Sequence, residues 1–201
     1  MLSGFVLDPY GEKMSKSIGN VVSPFTLIEK WGADPVRYFL LREVPPFEDG
    51  DYSDTRFAER YAGDLAHGLG NLVSRSLTLM ARKGSVEIFE GNALAKEISH
   101  CLATYDEACA SFRFGAALEA IWGLITAADR YINETKPWEL IKNDEASFTR
   151  VASSLWLTLW FISEKIKPFM PSTGEIISGA LVGNRGSVAT NMIGEVIAGL
   201  E

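Results

Sequence analysis

The sequence predicts a mainly α-helical fold, in which a short strand and a loop-bearing linker precede an antiparallel α-helix bundle. Three observations predict it. Apolar residues recur at helical spacing from about Asp54 onward, the breaks between such segments are short, and serine–proline or aspartate–proline pairs mark helix starts nearer the N-terminus.

Phe5-Val6-Leu7 is a short apolar run closed by Asp8-Pro9-Tyr10-Gly11, which reads as a strand entering a turn. Ser23-Pro24 places an N-cap ahead of a proline at the first helical position, and that helix runs through Phe25, Leu27 and Ile28 to Gly32. Asp34-Pro35 repeats the signal and opens a second helix through Val36, Tyr38, Phe39, Leu40 and Leu41.

Beyond the linker, Phe57, Tyr61, Leu65, Leu69, Leu72 and Met80 share one side of a continuous helix that stops near Lys83-Gly84. Its opposite side carries Arg60, Asp64, His67, Asn71, Arg75, Thr78 and Arg82. Ser85 to Gly91 reads as a loop. Further helices are expected from Asn92 to Ala110, Phe114 to Glu134 and Glu145 to Lys167. A shorter one follows Pro171, with Ser172 and Glu175 at capping-box spacing. Trp122, Trp156 and Trp160 lie inside apolar helical runs and are assigned to the core. The expected division is 1–53 for the loop and connective region, 54–183 for the bundle, and 184–201 for a tail rich in Gly, Ala and Val.

Bulk composition narrows the class. The 201 residues are 47% hydrophobic and 22% charged, an ordinary balance for a chain that buries one or two cores. The longest strongly apolar run, Leu155 to Ile162, is too short to span a bilayer, and Met1 to Val22 has no apolar signal-peptide core. Cys101 and Cys109 stand two turns apart on one helix, too far for a disulfide, so reduced thiols and a cytoplasmic setting are expected. His67 and His100 have no partners at ligand spacing, so no metal site is expected. The net charge of −7 argues against an indiscriminate nucleic-acid binder, although a local basic face could still read one particular RNA.

Lys13-Met14-Ser15-Lys16-Ser17 is the segment with the most chemistry. Two lysines three apart, with hydroxyls between them and Gly11 and Gly19 on either side, can converge on a polyanion; the same composition also describes a solvated turn. The G-x-x-x-x-G-K-[ST] phosphate loop is missing. On the long helix, Asn71 and Arg75 are four apart and project to one side, offering donors and acceptors to base edges and phosphates. Trp138, fixed by Pro137 at the end of the third bundle helix, can serve as a stacking plate for an unstacked base or as an interhelical plug.

The run KMSKS, continued by Gly19-Asn20-Val21-Val22 and Gly32-Ala33-Asp34-Pro35-Val36-Arg37, resembles the class I aminoacyl-tRNA synthetases. Within that class the chain is similar to the methionyl-tRNA synthetase family, through Tyr38-Phe39-Leu40-Leu41-Arg42-Glu43, Leu69-Gly70-Asn71-Leu72-x-x-Arg75, Tyr131-Ile132-Asn133-Glu134 and Lys136-Pro137-Trp138. Ala62 and His67 depart from the asparagines common in that family.

The resemblance implies that Lys13, Met14, Ser15, Lys16 and Ser17 bind ATP, with Lys13 and Lys16 the catalytic pair. It implies that Asn71, Arg75, Pro137 and Trp138 read the CAU anticodon of methionine tRNA. ATP with Mg2+ is the expected cofactor in the intact enzyme, and no zinc site is expected in this part. The family's HIGH-type motif and zinc-bearing Cys-x-x-Cys are missing, so the expected partner is the missing catalytic domain of the same enzyme, and this part alone is expected to be inactive. Two other readings are a stand-alone tRNA-binding module without catalysis, and a structural domain that docks on a partner.

Overall fold

A computed structural model describes residues 5–15, 17–84, 86–89 and 91–183. Lys16 and the 184–201 tail lie outside the described residues. Strand β1 (Val6–Leu7) pairs in parallel with β2 (Gly50–Asp51), Val6 opposite Gly50 and Leu7 opposite Asp51. A Cβ on Gly50 would stand 2.8 Å from the Val44 backbone, so only glycine fits at this crossing.

Helix α1 (Pro24–Trp31) starts at Ser23 and ends at Gly32 as expected, although the Ser23 hydroxyl makes no cap bond. Helix α2 (Ala33–Glu43) begins two residues earlier than the Asp34-Pro35 signal places it, with Gly32 as its N-cap. The Asp34 carboxylate turns away from its own helix, and Oδ2 accepts from the Thr173 backbone N–H at 2.6 Å and its hydroxyl at 2.7 Å.

That contact also corrects the expected capping box. Helix α9 (Pro171–Gly183) starts before Ser172, so Ser172 is already helical and Glu175 pairs instead with Lys167 at 3.2 Å. Asp34 of α2 satisfies the first-turn donor that a local cap would have taken. Three residues on, Arg37 donates to the carbonyls of Phe169 and Pro168, both at 2.8 Å. One face of α2 therefore fastens both sides of the turn between the last two helices.

The long amphipathic helix expected over 54–83 is helical from Asp54 to Ala81 but not uniform. α3 (Asp54–Arg60) passes into a π-helical segment (Tyr61–Gly70) and then into α4 (Asn71–Ala81). The wider turns depend on glycine: a Cβ on Gly70 would sit 3.0 Å from the Leu65 carbonyl, and one on Gly68 3.3 Å from that of Gly63. The Asp64 carbonyl accepts from the Trp122 indole at 3.2 Å, so a residue assigned to apolar core is a half-buried donor that supports the segment. Trp156 is fully buried, whereas Trp160 is only partly so.

Helices α5 (Ala95–Ala110), α6 (Phe114–Thr135) and α8 (Glu145–Ile166) match expectation within a few residues. Helix α7 (Pro137–Asn143) is an element the sequence reading did not anticipate. Pro137 does not merely end a helix. It starts the next one, after Lys136 takes a left-handed backbone at φ 46°.

Two cores result. The larger joins α4, α5, α6, α8 and α9 around Leu72, Leu118, Ile121, Ile132, Leu155, Trp156 and Ile162. Each such fully buried side chain contributes about 1.5–3 kcal/mol of transfer free energy. The smaller collects Leu27, Val36, Phe39, Tyr52 and Phe57, with Met14 and Val6 against its edge. Its outer rim is bound by Glu43, whose nearly buried carboxylate is met by Arg56 at 2.7 Å and Arg60 at 2.6 Å.

Candidate functional site

The KMSKS segment leaves β1 through a turn organised by Asp8. One carboxylate oxygen accepts from the backbone N–H groups of Tyr10 and Glu12, both at 2.9 Å, and the other from the Asn20 side-chain amide at 3.0 Å. Asn20 in turn accepts from Ser15 N–H at 2.9 Å and donates to the Lys13 carbonyl at 3.4 Å. The Asn20 hydrogen bond, ahead of the backbone ones, holds the Asp8 carboxyl below its ordinary range. These bonds tie the two ends of the loop together.

Met14 packs inward on the smaller core. Ser15 and Ser17 bring their hydroxyls to 3.1 Å, and the Lys13 ammonium lies 3.5 Å from the centre of the exposed Phe5 ring. Lys16 lies outside the described residues, so its position relative to Lys13 is not part of this geometry.

The second group of residues lies on the bundle. Arg75 and Trp138 line one groove of about 340 Å³, together with Ser74, Thr78, Leu79 and Arg82. The left-handed Lys136 and the proline after it turn the chain out of α6 so that Trp138, at the first turn of α7, keeps 38% of its surface exposed. Pro137 is buried and contributes by placing its neighbour. Asn71 is exposed one turn earlier on α4 and is not among the residues lining this groove.

An exposed indole beside a guanidinium offers a stacking plane and a hydrogen-bonding fork within one opening. Sequence reasoning did not single out Asp129, and it quoted Asn133 and Asn20 only within motifs, without the roles of holding Arg75 from α6 and tying the loop. The signal for Asp129 and Asn133 was their four-residue spacing on the polar side of α6. A separate cleft of about 1080 Å³, lined by Lys83, Phe89, Tyr131, Arg150 and neighbours, contains none of the residues expected from sequence.

The loop and the groove stand on one helical frame, and comparison with known proteins gives that frame first a class and then a family. Residues 2–77 match the family model of class I tRNA synthetases (M), and residues 83–198 match that of the anticodon-binding domain of methionyl tRNA ligase. The chain is 39% identical over 185 residues to the methionine–tRNA ligase of Rhizobium meliloti, covering 87% of this chain and 35% of that protein. Against the Clostridium acetobutylicum enzyme the identity is 40% over 181 residues, covering 85% and 28%. The fold superposes on Mycobacterium tuberculosis methionyl-tRNA synthetase in complex with methionyl-adenylate with a TM-score of 0.72 at 39% identity, covering 87% of this chain and 36% of that one.

The chain belongs to the methionyl-tRNA ligase family. It spans about a third of the length of the relatives it matches.

Proposed function

We propose that this chain reads the CAU anticodon of methionine tRNA through Asn71, Arg75 and Trp138, with Pro137 placing the indole, and that its KMSKS loop serves ATP-dependent methionylation in an intact enzyme. The observation that carries this reading is the shared groove of Arg75 and Trp138. The indole would stack on an unstacked anticodon base while Arg75 and Asn71 hydrogen-bond to base edges.

In the intact enzyme, the methionine carboxylate attacks the α-phosphorus of ATP to give methionyl-adenylate and pyrophosphate, and the acyl group then passes to a hydroxyl of the terminal ribose of the tRNA with release of AMP. Lys13 and Lys16 would stabilise the negative charge that grows on pyrophosphate, with Ser15 and Ser17 as further donors and the Met14 backbone holding the loop's shape. ATP with Mg2+ is the cofactor proposed for the intact enzyme, and the described residues contain no group of three or more His, Cys, Asp or Glu side chains able to hold a metal ion. The partner is a catalytic domain carrying the remaining walls of the ATP site. Residues 1–53 would form the loop and connective region, 54–183 the anticodon-binding domain and 184–201 a tail. None of the described helices is long and apolar enough to cross a membrane, and the cytoplasm, where tRNA is charged, is the proposed location.

The test is a titration of labelled methionine tRNA against this chain at moderate salt, with a second tRNA changed at one anticodon base. Binding that collapses with the changed base supports the reading. Equal binding of both, falling steeply with salt, would reduce it to phosphate attraction.

A further inference from the structure

Arg75 does not set its own direction. Its Nη1 donates to Asp129 Oδ1 and its Nη2 donates to Asn133 Oδ1 at 2.7 Å, both side chains coming from α6. Asn133 Nδ2 then donates to Asp129 Oδ2 at 3.2 Å, which closes a ring of three side chains. Asp129 and Asn133 are four residues apart, so both face α4 from the same side of their helix. The arginine and aspartate side chains are 29% and 36% exposed and Asn133 is exposed, so the ring sits at the surface.

We propose that Asp129 and Asn133 are positioning residues that hold the Arg75 guanidinium at one orientation beside Trp138, so that it reads an unstacked RNA base by geometry and not as a mobile charge. The inference rests on the anticodon-reading function above. Two of the five guanidinium N–H groups are committed to α6, and three remain for a ligand. A free arginine on a flexible stem follows any phosphate, whereas a pinned one presents a fixed fork. Asp129 also compensates the charge of Arg75, so the pair adds little to non-specific attraction. Arg82 lines the same groove with no ion pair among the described residues and is the cation left for the RNA backbone.

The experiment uses this chain and the anticodon stem-loop of methionine tRNA, with a second stem-loop changed at one anticodon base. The unmodified chain, Asp129→Ala and Asn133→Ala are titrated at several salt concentrations, with thermal unfolding recorded for each. Discrimination is expected to fall by about tenfold in both variants, the size of one lost base contact. Binding of the wrong stem-loop should persist, and in Asp129→Ala the plot of log affinity against log salt should steepen by about one unit, because Arg75 becomes an uncompensated cation.

Variants that discriminate as well as the parent would overturn the proposal and leave the anticodon reading intact. Equal loss of both RNAs with a lowered unfolding temperature would assign the ring a structural role and overturn it too. A parent chain that ignores the anticodon would overturn the function itself, and the inference with it.

Discussion

Trp138 carries the most at the scale of single residues. Because its indole is 38% exposed and lines a groove, Trp138→Ala should weaken binding of the anticodon stem-loop by about 1–3 kcal/mol, the usual size of a lost base stack. Thermal unfolding should change far less than for a core tryptophan such as the fully buried Trp156.

Asp8 gives the second prediction at this scale. Its folded carboxyl lies below the ordinary value, chiefly because Asn20 donates to the charged form. The tether is therefore fully present above the unfolded pKa of about 4 and is lost as pH falls through the lower, folded value. An amide-resonance titration should show the Tyr10, Glu12 and Ser15 N–H signals moving together only below about pH 4. Movement of the three near neutral pH would contradict that tether. Type and spacing singled out Asn71, Arg75 and Trp138 as candidates, and only the family resemblance gave them an anticodon role. Their supports were not legible, since the bonds from Asp129 and Asn133 to Arg75 cross 54 and 58 positions of sequence.

At the scale of elements, the contacts of α2 with the turn before α9 replace a local cap. Asp34→Ala removes the acceptor for the Thr173 N–H and hydroxyl, and should cost about 1–2 kcal/mol in denaturant unfolding. Ser172→Ala, at the position the sequence marked as a cap, should cost a few tenths at most. A larger loss at Ser172 than at Asp34 would restore the local capping box.

Helices α6 and α8 were legible almost to the residue, because each carries a long 3.6-residue apolar repeat that needs no outside support. The π-helical stretch was not legible, since periodicity cannot register one wider turn whose stability comes from Gly68, Gly70 and an indole on another helix. Helix α7 was hidden because Lys136-Pro137 reads as a stop, and only the left-handed Lys136 turns that stop into a new start. The hydroxyls of Thr149, Ser153, Ser154 and Thr158 were hidden too. They lie on buried positions of α8, where Ser153 and Ser154 accept from the backbone at Phe89 and Ala93.

For the whole molecule, the loop and the groove belong to one helical frame but to different chemistry. α2 joins them: Phe39 lies in the smaller core, Tyr38 in the larger, and the Tyr38 hydroxyl donates to Asp64 at 2.7 Å. In an intact enzyme, Lys16→Ala should slow adenylate formation far more than it weakens methionine binding. Equal losses in both would contradict the assignment.

The most direct test of the central claim is a parallel titration of methionine tRNA and its anticodon-changed counterpart against this chain, Trp138→Ala and Lys16→Ala. The predicted result is anticodon-dependent binding by the parent and by Lys16→Ala, and its loss in Trp138→Ala. Binding that ignores the anticodon in all three, or that falls with Lys16 and not with Trp138, would contradict the account.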